Sequence, residues 1–302
     1  MKIITSDAQL HRIIPQVLAT VEGEATLLEK LTPFLETSEE WVRQCFVPDE
    51  LFEDVAELSA SAETGADNSD PSTPEQIAGE DDSLFILHSS LEKVVAFHAF
   101  MNAVPSLDLV LTPNGFGIVS NSNVVPASRE RVERLRFSLE EERDRNIEQL
   151  VLRLANRDEW RQASQGRYFA ATLFPFLGVC RRLAIREHVW DEYQHLHDRL
   201  IKIENVLAET YFSQEQMTVF RQRIVNKMRD CSAIEEHVIR SLQSLEMMLV
   251  SDMQCHPQSF YDLVNIIREH EEVFPEWHAS ATAQLYSPAV FHNKKQSGGY
   301  WF

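Results

Sequence analysis

Leu107–Leu135, LDLVLTPNGFGIVSNSNVVPASRERVERL, decides how this chain is read, because strand-type chemistry interrupts a helical sequence only there. Leu107, Leu109 and Leu111 alternate with Asp108, Val110 and Thr112, the period of a strand. Pro113-Asn114-Gly115 reads as a turn, since proline presets φ and Asn and Gly accept positive φ. Phe116-Gly117-Ile118-Val119 reads as the return strand. A polar loop, Ser120–Asn123, follows, and Pro126-Ala127-Ser128 opens a long charged helix.

Upstream, Ser6 or Asp7 can cap a short helix carrying Leu10, Ile13 and Ile14. Apolar positions at helical spacing run from about Glu24 to Cys45, with Pro33 predicting a kink or restart near Thr32. Ser59–Ser83 is acidic throughout and has no Lys or Arg, so it reads as a solvated loop. The next helix starts at Leu84 or Ser90, runs to about Val104 and is apolar around much of its circumference.

Downstream, a helix from Ser128 to about Arg157 has one apolar face, Val132 to Leu154, and a densely charged one. Ten arginines face nine acidic residues between Arg129 and Arg167. They read either as i,i+4 ion pairs or as a surface for an acidic neighbour. Gln162–Pro175 looks irregular, with Gly166 and Pro175 as breakers. Helices are expected near Arg182–Glu209, Ser213–Cys231, Ser232–Val250 and Pro257–Glu271.

An internal repeat runs through this pattern. Leu35–Phe52 aligns with Leu200–Met217 at a constant offset, pairing Glu39 with Glu204 and Phe46 with Tyr211. Ser90–Val95 aligns with Ala233–Val238 at a shorter offset, as if the acidic loop were missing from the second copy. The alternative is that two amphipathic helices merely share a period.

The formal net charge of −19 argues against free binding to nucleic acid or an anionic membrane. No uninterrupted apolar run has the length of a membrane span, and the first residues lack a signal peptide's apolar region. The four scattered cysteines read as buried free thiols of a cytosolic protein. Cys180, beside Arg181 and Arg182, is the one whose thiol those charges could acidify.

No phosphate loop, HExxH or GxSxG is present. The glycines of Asn114–Gly117 follow a turn and open no helix. Glu192–His195 is a single ExxH, with His188 and His197 nearby, where a di-iron bundle needs two plus two further Glu. Met247, Met248 and Met253 read as core packing. The expectation is no catalytic residues, no metal and no cofactor. A metal-dependent helical enzyme around Glu192 and His195 is the enzymatic alternative. An adaptor binding a basic partner through Ser59–Ser83 is the other.

Asp108–Asn121 and Val125–Leu135 resemble the signature of a family encoded in phages and prophages of Bacteroides-type bacteria, whose members look like virion head–tail connector (adaptor) proteins. Leu35–Trp41 resembles the helix that begins their bundle. The resemblance implies an all-α protomer in the virion neck. It would form a homo-oligomeric ring, dock on a portal protein, receive tail components and let DNA pass as cargo.

The expected fold is mainly α: two related helical-bundle units joined by a β-hairpin-containing segment and a long charged helix. The expected boundaries are 1–106 (with the acidic loop 59–83), 107–127 for the hairpin, 128–165 for the Arg-rich helix, 166–285 for the second unit and 286–302 for an extended tail. The interface expected between subunits comprises Phe116, Ile118, Arg129, Arg131, Arg134, Tyr300, Trp301 and Phe302.

Overall fold

In the computed structural model, residues 3–14, 26–64, 80–107, 109–112, 115–118, 128–229 and 231–287 are described, with side chains except at 58–64, 80–83, 109–112 and 115–118. The fold is mainly α, and the chain divides into two units, Met1–Leu196 and His197–Phe302.

Capping boxes start the first unit. The Ser6 hydroxyl and the Gln9 amide cap α1 (Asp7–Ile13), and Thr26 and Glu29 do the same for α2 (Leu27–Cys45). Pro33 lies inside α2, so the helix does not restart near Thr32. The Thr32 and Thr37 hydroxyls donate to the Leu28 and Pro33 carbonyls on either side of it. Helix α3 (Asp49–Thr64) and α4 (Glu80–Ala103) both reach into the segment expected to be loop; 65–79 lies outside the described residues. Two forces extend them: Ser-Ala-Ser-Ala-Glu continues α3 with good helix formers, and Glu80-Asp81-Asp82 places negative charge at the N-terminus of α4.

Helix α4 is the core of this unit, packed against α2, α3 and α5 (Arg129–Leu154). By length and hydropathy alone Leu84–Ser106 could cross a bilayer, but 61% of that window is buried inside the protein. Its buried Glu92 is held by Arg12 at 2.8 Å. Its His98 stacks on Trp41 at 3.9 Å and 8°, with Nδ1 2.8 Å from the Ser38 hydroxyl. Burial, and then Arg143, hold the His98 pKa down to about 4, so the ring is uncharged at neutral pH.

Between α4 and α5 the chain forms β1 (Leu109–Thr112) and β2 (Gly115–Ile118), antiparallel, with Leu109 opposite Ile118 and Leu111 opposite Phe116. The expected cuts at 106 and 165 would separate α4 from α5. Their packing is the most extensive between described helices, so α5 falls in the first unit. Past the expected end of the Arg-rich helix comes α6 (Asp158–Gln162), and the stretch expected to be irregular holds α7 (Ser164–Phe169). Gly166 does not break α7. It lets α7 sit on α6, since a Cβ there would lie 2.0 Å from the Trp160 carbonyl oxygen. Helix α8 (Gly178–Arg182) ends in a link where Ala184 and His188 take positive φ, so α9 begins only at Val189 and runs to Leu207. The unit boundary lies inside α9.

In the second unit, α9 ends in a π-turn, Ala208–Phe212. Then follow α10 (Gln214–Val225), α11 (Ala233–Val250), α12 (Pro257–Glu269), α13 (Pro275–His278) and α14 (Ala281–Leu285). Ser213, Ser232, His256 and Ser280 cap α10, α11, α12 and α14.

Each unit ties down its first long helix in the same way. The Trp160 indole N–H donates to the Phe46 carbonyl at 2.6 Å, and the Trp277 indole N–H donates to the Tyr211 carbonyl at 2.8 Å. In both cases the acceptor is a C-terminal carbonyl of a helix, a group with no intrahelical partner.

The second core also holds three fully buried polar side chains, Glu204, Gln216 and Glu246. Arg221 binds Glu204 at 2.8 Å, whereas neither carboxyl oxygen of Glu246 has a hydrogen-bond partner. Burial, and then the Glu204 carboxylate, push the Glu246 pKa well above the usual range, against the pull of Arg221. A folded-state pKa raised in this way favours folding below the unfolded value, near 4.5, and that stability is lost as pH rises. Glu246→Gln and the wild type should therefore melt together near pH 4 and diverge towards pH 8, with the variant higher in thermal scans. Parallel curves would show that Glu246 is not held uncharged.

Candidate functional site

Two features of the first unit stand apart from core packing. One is the start of α5. Every residue from Ser128 to Ser138 is exposed or half-exposed, and burial begins only at Leu139. Leu135 and Phe137 are 37% and 38% exposed there, without a cover among the described residues. A helix rises about 1.5 Å per residue, so this half of α5 is on the order of 15 Å long. Arg129 pairs with Glu133 at 2.6 Å, and Arg134 with Glu130 at 3.0 Å, each one turn along the same helix. Such exposed pairs are worth a few tenths of a kcal/mol and exchange readily for a partner's charges. Arg131 and Arg136 make no ion pair among the described residues.

The hairpin β1–β2 precedes this helix end in the sequence, with 119–127 between them outside the described residues. Phe116 and Ile118 lie on β2, opposite Leu111 and Leu109, and their side chains are outside the described residues, as are Tyr300, Trp301 and Phe302. The structure thus brings Arg129, Arg131 and Arg134 onto one exposed helix end. Sequence reading missed Leu135 and Phe137. Leu135 reads there as one member of the apolar face and Phe137 is not singled out, because periodicity does not report where a helix leaves its neighbours.

The other feature is a cleft of about 420 Å³ between the second half of α5 and the Leu177–Val189 stretch. Glu141, Asp144 and Glu148 line it together with Arg145, Arg181 and Arg186. At its base the buried Arg143 makes two bonds to Asp144, at 2.8 and 2.7 Å. Burial raises the Asp144 pKa and Arg143 opposes it. Arg181 pairs with Glu148. Beside the cleft, His188 Nδ1 lies 2.9 Å from Glu140, and the ligand atoms of Glu140, His188 and Asp191 all fall within 4.8 Å of one another.

Glu192 and His195, the pair singled out from the sequence, are both exposed and are not part of this trio. Glu140 was not legible as a neighbour of His188 because it lies 48 residues away and shares no spacing motif with it. Cys180 is buried, as expected, while Cys45, Cys231 and Cys255 are only half-buried; burial, followed by Glu192, pushes the Cys180 thiol up to about 12 where a lowered value was foreseen. The acidifying charge foreseen from Arg181 is directed to Glu148 instead.

Residues 47–170, under half of the chain, are similar to a family of unknown function (DUF6712). The matched stretch runs from the residue after Phe46 through α7 and includes the hairpin and all of α5. No curated protein and no solved structure matches the chain.

The exposure of the α5 start makes a direct prediction. Leu135→Ser and Phe137→Ser should each change unfolding free energy by less than about 0.5 kcal/mol in urea titrations, as surface substitutions do. Leu150→Ala, in the buried half, should cost about 2–5 kcal/mol. If the first two cost as much as the third, that surface is core.

Proposed function

We propose that the protein is a structural subunit of a bacteriophage virion neck. In this reading it is a head–tail connector that forms a homo-oligomeric ring on the portal protein and joins it to tail components. The observation that carries the reading is the start of α5, which lies off the buried core while bearing Leu135, Phe137 and four arginines; with the hairpin β1–β2 that precedes it in the sequence it is called the arm. Leu135 and Phe137 project from different sides of the helix among exposed arginines, a mixture of apolar and arginine side chains that protein interfaces favour. The occupant that fits it is a second copy of this chain. At −19 the chain offers carboxylates widely, and arginine prefers them in bidentate geometry. The same acidity would let DNA pass a ring's lumen by like-charge repulsion.

The hairpin contributes in the same sense. Strand pairs with an exposed edge take up further strands, and Phe116 and Ile118 are the apolar residues of β2 that would anchor them. The signature on which the sequence resemblance to connector proteins rests, Asp108–Leu135, falls within this arm.

The test is a set of variants measured by sedimentation velocity, alone at high concentration and mixed with the portal protein from the same genome. Arg129→Glu/Arg131→Glu/Arg134→Glu and Phe116→Asp/Ile118→Asp should each abolish the large species while keeping the wild-type circular dichroism spectrum. A wild-type protein that stays monomeric under both conditions, or variants that assemble normally, would contradict the reading.

A further inference from the structure

We infer that the chain is a tandem duplication of one six-helix module, α2–α7 and α9–α14, and that the arm is an addition grafted into the first copy only. Four stretches of equivalent burial support the duplication, in the same order in both copies. In the first helix Leu31, Leu35, Glu39 and Val42 correspond to Leu196, Leu200, Glu204 and Leu207, all eight buried. In the second, at the same offset, Phe52 and Val55 correspond to Met217 and Phe220. In the third, Glu92, Val95, Ala96 and Ala99 correspond to Glu235, Val238, Ile239 and Leu242. In the fourth, Ile147, Leu150, Val151 and Leu154 correspond to Phe260, Leu263, Val264 and Ile267.

A shared amphipathic period could produce such matches one helix at a time. It cannot produce matching long-range bonds between helices. Phe46 and Tyr211 are equivalent in the first helix, Trp160 and Trp277 in the fifth, and the same indole-to-carbonyl bond joins each pair. The ring contacts repeat as well. Trp160 lies 5.8 Å from Phe169, and Trp277 lies 6.0 Å from Tyr286, nine residues on in each copy. The buried glutamates keep their place but change donors. Glu39 accepts the Ile3 backbone N–H where Glu204 accepts Arg221, and Glu92 takes Arg12 where Glu235 takes Arg223. A packed core position tolerates a new donor more easily than an unpaired carboxylate.

Laid on each other, the copies differ most between the third and fourth helices. The second copy passes from α11 to α12 through Ser251–His256 alone. The first inserts a 3₁₀ turn, the hairpin, a link and the exposed start of α5. Arg143 Nη1 lies 3.7 Å from Met101 Sδ, which sets the end of α4 level with the point where α5 becomes buried. A link as short as that of the second copy would therefore close the first module.

That the arm is the assembly surface rests on the proposed function; that it is dispensable for folding does not. The experiment replaces residues 108–137 of the full chain with the Ser251–His256 sequence, SDMQCH. The expected result is a folded protein with native near-ultraviolet circular dichroism and a cooperative melt, which no longer forms the large species. A protein that does not fold would overturn the graft. One that folds and still assembles with the portal would leave the duplication standing and overturn the arm as the binding surface. As an independent arm, Trp160→Phe and Trp277→Phe should each lower the melting midpoint, within a factor of two of one another. A shift in only one of them would overturn the equivalence.

Discussion

The interaction on which both units depend is a tryptophan indole N–H donating to the last carbonyls of a long helix. Such carbonyls have no partner within the helix, and burying one unpaired costs about 1–3 kcal/mol. Trp160 and Trp277 meet that need at Phe46 and Tyr211, and the same rings fill space against Phe169 and Tyr286. One side chain therefore fixes where the first helix stops, where the chain turns into the next, and where two short helices lie. Gln165 adds a bond to the Arg43 carbonyl in the first unit, and Tyr286 adds one to the Thr210 carbonyl in the second.

The cores built around these bonds carry an unusual load of buried carboxyl groups. Glu39, Glu92, Glu140 and Asp144 in the first unit, and Glu204, Glu235 and Glu246 in the second, are all buried. Most are held by an arginine or a backbone N–H, which specifies a partner and hence a register more sharply than apolar contact does. Glu246 is the exception; it is kept uncharged by burial and by Glu204. These seven carboxyl groups are tied up in structure, whereas Arg129, Arg131, Arg134 and Arg136 stand at the exposed start of α5.

Much of the fold was legible because it rests on periodicity. The helical class and the helix expected over Ser232–Val250 follow from apolar spacing and cap residues. The misses have identifiable causes. Pro33 suggested a kink or restart, and the helix runs through it without restarting. Composition suggested loop for Ser59–Thr64, where alanine and glutamate favour helix. Trp160 and Trp277 went unrecognised as a pair because four extra residues precede the second, and because helices of four to six residues leave no periodic trace. At the candidate site the arginines were legible from charge, but Leu135 and Phe137 were not: a sequence shows which face of a helix is apolar, not how far along the helix that face is covered.

Hydrogen exchange, read residue by residue on the dilute protomer and on the assembled species, tests the central claim most directly. The account predicts that amides of Val132–Ser138 exchange far faster than those of Ile147–Leu154 in the protomer and become protected on assembly, while Ile147–Leu154 stay slow throughout. Equal protection of the two stretches in the dilute protomer, or an arm that remains fast in the assembled species, would contradict it.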